Sequence, residues 1–332
     1  MRVVVITAYG GPEVLQVQER PDPVAGAGEV LIDVAAAGIN FADVMARMGL
    51  YPDAPKTPCV VGYEVAGTIL AVGDGVEGLA PGQRVLSGTK FGGYASQVAV
   101  PSGDVVALPD RLSFEQGAAI PVNYATAWAG LVGYGSLRPG ERVLIHSAGG
   151  GVGIAATQIA KRWGAEVYGT ASPGKHARIR ELGVDHTLDY TSPGWERGLP
   201  KFDLIMDAVG GRSFRRSYGL LRPGGRLVAF GASSVVSGER KNIPAALKAM
   251  ASMPRFNMVK QMSESKAVIG LNMLSLWQDR GTLEPWIEPL RELLDDGTVT
   301  PVVAGAFSFA EAGAAQTMIV ERRNTGKVVL TP

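Results

Sequence analysis

Cysteine and histidine are nearly missing from this 332-residue chain. Cys59 stands alone, and His146, His176 and His186 are the only imidazoles. One thiol excludes an intrachain disulfide and any thiolate-rich zinc site. Neither sign of charge is in surplus: 32 lysines and arginines face 31 aspartates and glutamates, a net +1. No global field therefore favours nucleic acid or an anionic membrane as a partner. There is no apolar run long enough to span a bilayer. The opening MRVVVITAYGGPEVL enters a strand-like run without the build of a signal peptide. A soluble, cytoplasmic protein is expected.

Glycine and proline are plentiful, at 44 and 21, but they fall at turn positions between apolar runs, as in a loop-rich folded protein. With 46% hydrophobic residues, the length suffices for one large or two ordinary domains. The first third reads as short strands broken by turns: RVVVITAY, VLQVQE, VLIDVAAAGI, VAGTILAVG, RVLSG and ASQVAVP. Such spacing predicts a small β-barrel or sandwich. ADVMARMG alone has helical periodicity there. Near Pro121 the texture changes to strands alternating with helices. RVLIH precedes IAATQIAKRWG, EVYGTA precedes KHARIRELG, FDLIMDAVG precedes SFRRSYGLL, and RLVAFGA and KAVIGLNM follow. This α/β alternation predicts a doubly wound parallel sheet.

Between RVLIH and its helix lies SAGGGVG. Ala148, Gly150 and Gly153 hold the three fingerprint positions of a dinucleotide loop, with Gly149, Gly151 and Val152 completing the turn. The chemistry needs a tight turn, a backbone that can approach a pyrophosphate, and a helix N-terminus aimed at it. The flanking strand and helix supply the context that a glycine triplet alone lacks. An NAD-preferring fold places Asp or Glu about 20 residues further on, against the ribose 2′-hydroxyl. Here Ala171-Ser172 holds that place, followed by Lys175 and His176. A missing carboxylate beside an ammonium suits a 2′-phosphate, hence NADPH. Ser172-Pro173-Gly174-Lys175 can equally cap the helix that follows.

AAGINFADVMARMGLYP (residues 36–52), PGQRV, PVNYATAW, HSAGGGVG and NTGKVVL, in that order, resemble the zinc-free quinone oxidoreductase (zeta-crystallin-like) family of the medium-chain dehydrogenase/reductase superfamily. The likeness covers essentially the whole chain. NFADVMARMGLY, PVNYATA, GTASPGKH and NTGKVVL look most like the branch of the vesicle amine transport protein homologues. The resemblance implies a GroES-like β-barrel catalytic domain (1–122 and 276–332) and a Rossmann NADPH-binding domain (123–275), with the active site between them. Zinc-containing relatives carry Cys and His ligands where this chain reads Gly38-Ile39-Asn40 and Gly62-Tyr63-Glu64, so no metal site is expected.

The resemblance implies hydride transfer from NADPH to a small-molecule quinone or enone, with Asn40 and Tyr51 as donors to the developing oxyanion. Tyr51 is otherwise a turn aromatic, and Asp43 is expected to fix the local loop or helix. Carried over as cofactor contacts are Thr126 under the nicotinamide, Tyr190 near the adenosine phosphate, and Phe230-Gly231 with Gly270 and Leu271 about the carboxamide. Asn324 and Lys327 approach from the C-terminal segment. A homodimer is expected, since KAVIGLNM would be an apolar sheet edge needing cover. Met250, Met253, Met258 and Met262 stand among basic residues in 243–262. Ordinary packing is the commoner use of such a segment; an adaptable pocket wall, a lid or a membrane-surface helix are others. An enoyl-thioester reductase and a non-enzymatic nucleotide-binding adaptor remain alternatives.

Overall fold

The turn-punctuated first third becomes eight strands in the computed structural model, which describes residues 1–332. They are β1 (Arg2–Ile6), β2 (Leu15–Glu19), β3 (Glu29–Gly38), β4 (Cys59–Val60), β5 (Glu64–Val72), β6 (Arg84–Gly88), β7 (Gln97–Pro101) and β8 (Val105–Ala107). The alternating part adds β9 (Arg142–Ile145), β10 (Glu166–Ala171), β11 (His186–Asp189), β12 (Phe202–Asp207), β13 (Leu221–Ala229) and β14 (Ala267–Gly270). β15 (Val303–Ser308) and β16 (Lys327–Thr331) close the chain.

β9 to β14 form one all-parallel sheet in the order β11-β10-β9-β12-β13-β14. Val143, Leu144 and Ile145 of β9 are all fully buried. A strand covered on both faces reads as a continuous apolar run, not as an alternation. The strand order reverses between β9 and β12, and a crevice opens there beyond the strands' C-terminal ends, where such folds take their ligands. The helix Gly151–Arg162 leaves β9 and the helix Arg212–Leu220 follows β12, so both start at that crevice.

The C-terminal strands join the N-terminal part. β16 pairs antiparallel with β3, in a seven-stranded sheet ordered β15-β16-β3-β5-β6-β8 with β7 also on β3. A separate sheet carries β2-β1-β4. One apolar cluster links the two halves: Ala36, Ala66 and Leu86 of the β-rich part share it with Val143, Ile145 and Leu204 of the parallel sheet. Tyr124 and Ala125, on the helix Pro121–Trp128, lie in the same cluster with Leu290 and Leu294 of the helix Glu284–Asp295. The two halves thus share one continuous core. No helix is long and apolar enough to cross a membrane.

Candidate functional site

A cavity of about 1150 Å³ runs along the cleft from the crevice of the parallel sheet to the loops after β3 and β4. At its inner end the chain turns from β9 through Ser147 into the helix Gly151–Arg162. No side chain caps this N-terminus, so the first-turn N–H groups of Gly151, Val152 and Gly153 lack intrahelical acceptors and face the cavity with the positive end of the dipole. Gly153 is required by close approach: a Cβ there would lie 2.3 Å from the Ser147 carbonyl oxygen and 2.7 Å from Ala148 Cα. Backbone on both sides cannot yield, so the helix sits tight on the loop and its N-terminus stays aimed. An anionic diphosphate fits this cradle.

The C-terminal segment closes over the loop. Gly326 N–H donates to the Gly149 carbonyl at 2.9 Å, and Lys175 Nζ donates to the Arg322 carbonyl at 2.8 Å and also to that of Asn324. Lys175 and Arg322 both line the cavity and neither is in an ion pair with a carboxylate. Burial, then the Arg322 guanidinium, lowers the Lys175 pKa. Two adjacent cations without a counter-ion make a site for an anion of more than one charge.

The other end is organised around a buried ion pair. Glu64, at the start of β5, is fully buried, and Lys327, at the start of β16, is 4% exposed. Their direct contact is joined by Asn40: Lys327 Nζ donates to Asn40 Oδ1 at 2.7 Å, and Asn40 Nδ2 donates to Glu64 Oε1 at 3.0 Å. Glu64 Oε2 accepts from Val122 N at 2.7 Å. Desolvating two charges costs several kcal/mol each, which only such full satisfaction offsets. The ammonium can only donate and the carboxylate only accept, so the orientation of the Asn40 amide is fixed. One Nδ2–H is left over, on a side chain lining the cavity. Asp43 holds the same loop, accepting from Asn40 N at 2.7 Å, Tyr94 Oη at 3.0 Å and Gly62 N at 3.1 Å. Complete burial outweighs those bonds and raises its pKa to about 7.

Tyr51 stands on the rim, half-buried. Burial and the Asp53 carboxylate raise its pKa, so it is an un-ionised donor. Tyr63 and Asn272 flank it in the cavity wall.

The cavity gathers Asn40, Tyr51, Thr126, Gly149, Gly150, Gly151, Val152, Gly153, Ser172, Lys175, Tyr190, Phe230, Gly231, Leu271, Asn324 and Lys327. Three expected contacts lie elsewhere. Ala148 is buried behind the loop, its N–H donating to the Thr170 carbonyl at 3.0 Å. His176 turns away, Nε2 meeting the Ala171 carbonyl at 3.1 Å. Gly270 ends β14 outside the cavity, and Leu271 reaches it instead. The segment 243–262 is not packed as core within the chain. Ala245, Lys248, Ala249 and Ser252 face the cavity, while Met250, Met258 and Met262 are 58%, 71% and 72% exposed. Sequence reasoning missed Glu64, Asn123, Arg322 and Asn272. A Cβ on Gly151 would meet the Asn123 amide at 2.5 Å, which ties that helix to the loop only in three dimensions.

The chain matches the Alcohol dehydrogenase GroES-like domain over residues 26–110 and the Zinc-binding dehydrogenase family over 182–330. It is 34% identical to the human Synaptic vesicle membrane protein VAT-1 homolog across the whole chain and 86% of that protein. The Escherichia coli quinone oxidoreductase complexed with NADPH superposes with a TM-score of 0.85 at 28% identity, covering all of both chains. The CurK enoyl reductase does so at 0.84 and 27%, covering 99% of each. Despite the second family's description, no three His, Cys, Asp or Glu side chains converge in this chain. With a β-rich part rejoined by its C-terminal strands, a six-stranded parallel sheet and a shared cleft, the chain belongs to the medium-chain dehydrogenase/reductase superfamily of oxidoreductases, on the branch that holds the VAT-1 homologues and the quinone oxidoreductases.

Proposed function

We propose that this protein is an NADPH-dependent reductase that works without a metal and reduces a quinone or an α,β-unsaturated carbonyl compound. The observation that carries this reading is a single cavity joining an uncapped helix N-terminus to an amide with one free N–H. Gly151, Val152 and Gly153 would hold the diphosphate, and Lys175 with Arg322 the 2′-phosphate. Thr126, Phe230, Gly231 and Leu271 would border the nicotinamide. Bound there, the cofactor supplies a hydride. The electron pair displaced onto the substrate oxygen is met by the Asn40 Nδ2–H and the Tyr51 hydroxyl, and a proton from solvent completes the product. The E. coli relative's NADPH complex supports the cofactor assignment.

Cys59 is the only thiol and Tyr63 stands at a zinc relative's ligand position, so no activity is expected to depend on zinc. A homodimer through β14, which pairs only with β13, remains part of the reading. A second reading, an enoyl-thioester reductase, draws on the likeness to CurK. Lys248 in the cavity wall and Lys241, bonded to the Gly49 carbonyl two residues from Tyr51, could receive an anionic carrier arm.

Consumption of NADPH against a panel of quinones, alkenals and enoyl thioesters, with and without a chelator, tests these readings together. Turnover of quinones or enones that survives chelation is expected. Turnover confined to thioesters selects the second reading, and loss on chelation contradicts the metal-free one.

A further inference from the structure

Tyr63, like Trp195 and Ser234, is a cavity residue whose side chain holds a buried polar atom satisfied by nothing, and of the three it alone stands beside Asn40 and Tyr51. Its side chain is 6% exposed, and its hydroxyl has no hydrogen-bond partner. The ring is held from two directions. Gly62 before it adopts φ +99° and is tied through its N–H to Asp43, and the Phe91 ring lies against it at 5.1 Å, tilted by 49°. A buried hydroxyl without a partner costs about 1–3 kcal/mol, so a phenylalanine here would suit the folded protein better. The residue faces the same space as Asn40, Tyr51 and Asn272. Tyr51 is its neighbour: the two hydroxyls approach each other but fall outside hydrogen-bond geometry.

We propose that the Tyr63 hydroxyl donates a hydrogen bond to the carbonyl oxygen of the bound substrate, alongside Asn40 and Tyr51, so that specificity for an oxygen-bearing acceptor is built into the wall of the cavity. The inference rests on the reductase reading for the name of the substrate class, but its contact is a matter of binding alone. Burial, the Asp43 carboxylate and the neighbouring Tyr51 push the Tyr63 pKa far up, so the hydroxyl remains protonated and available as a donor at any working pH. Gly62 and Phe91 hold the ring in one orientation, and a donor already oriented is the condition under which one hydrogen bond contributes most. The chain thus sets a neutral donor where its zinc-binding relatives set a metal ligand.

The test compares two matched probes, 2-acetylnaphthalene and 2-ethylnaphthalene, titrated into the full-length protein with NADP⁺ present so that no turnover occurs. The wild type should prefer the ketone. Tyr63→Phe should weaken the ketone about threefold to tenfold, as one neutral hydrogen bond predicts, leave the hydrocarbon unchanged, and melt no lower than the wild type. Equal weakening of both probes, no weakening of either, or a wild type that does not prefer the ketone overturns the proposal. Should Tyr63→Phe fail to fold, 3-fluorotyrosine at position 63, a stronger donor of nearly the same size, should tighten the ketone alone, and an unchanged ketone affinity would overturn it. Enone-dependent NADPH oxidation by the wild type, run beside these titrations, separates the two ideas. Ketone preference lost in Tyr63→Phe without any wild-type turnover supports the Tyr63 contact and sinks the reductase reading.

Discussion

The two ends of the cavity are built on different principles. The inner end, around Ser147 to Gly153, is backbone: an uncapped helix, a glycine pressed on a carbonyl, and N–H groups that any phosphate can use. The outer end is side chains, and each is placed by a partner far away in sequence. Lys327 and Glu64 are 263 residues apart, and Asn40 takes its orientation from both. A backbone cradle tolerates change in nearly every side chain around it but none in its glycines. A side-chain network inverts that sensitivity, since it depends on a few charges and amides and can be retuned for a new substrate. The same fold can therefore keep its cofactor while its acceptor changes.

The sharpest way to break the outer end is to remove one partner of the ion pair. Lys327→Met leaves Glu64 buried without its ammonium and should cost about 3–5 kcal/mol in urea unfolding. Adding Glu64→Gln should restore much of that, and a single variant as stable as wild type contradicts the burial argument. At the inner end, Lys175→Ala should weaken NADPH relative to NADH by about 1.5–3 kcal/mol, one charge-assisted contact. The difference between cofactors is the readout, because Lys175 also holds the Arg322–Asn324 carbonyls. Equal weakening of both would remove the 2′-phosphate from this account.

Gly153→Ala should cost about 1–3 kcal/mol of stability by overpacking and blunt the binding of both cofactors alike, measured by melting and titration. A tight NADPH complex in that variant would show the loop to be less rigid than its contacts imply. The last effect is a slope. Asp43 has its pKa raised from 3.8 to about 7 by burial, so between those values the folded chain binds a proton that the unfolded chain has lost. Stability from this group therefore falls as pH rises from about 4 to 7, by no more than about 1.4 kcal/mol per unit. Asp43→Asn should remove that component, and unfolding curves with the same pH slope in both proteins would contradict it.

What could be read from sequence follows the same division. The apolar runs of β9, β10, β12 and β13 and the loop between β9 and its helix are local, so periodicity and spacing suffice for them. β11 escaped because His186-Thr187-Leu188-Asp189 is an edge strand with only one apolar residue. The return of the C-terminal strands needed a resemblance, since nothing local marks β16 as a partner of β3. Lys327 could be named as approaching the cofactor, but its bond to Asn40 and its burial against Glu64 exist only in three dimensions. Tyr63 had been legible only as an absent zinc ligand. Its unpaired hydroxyl is a property of the packing around it, and Arg322 likewise gains its meaning from standing beside Lys175.

The central claim, that this cleft passes a hydride to a carbonyl-conjugated acceptor, is tested most directly by following the hydrogen itself. The protein would be mixed with NADPH deuterated at C4 of the nicotinamide and an α,β-unsaturated ketone in excess, and the product examined by mass spectrometry. The account predicts one deuterium on the β-carbon of the saturated ketone and oxidation of the cofactor in equal amount. Cofactor oxidised without deuterium in the product, or no reduction of any enone that binds, would contradict it.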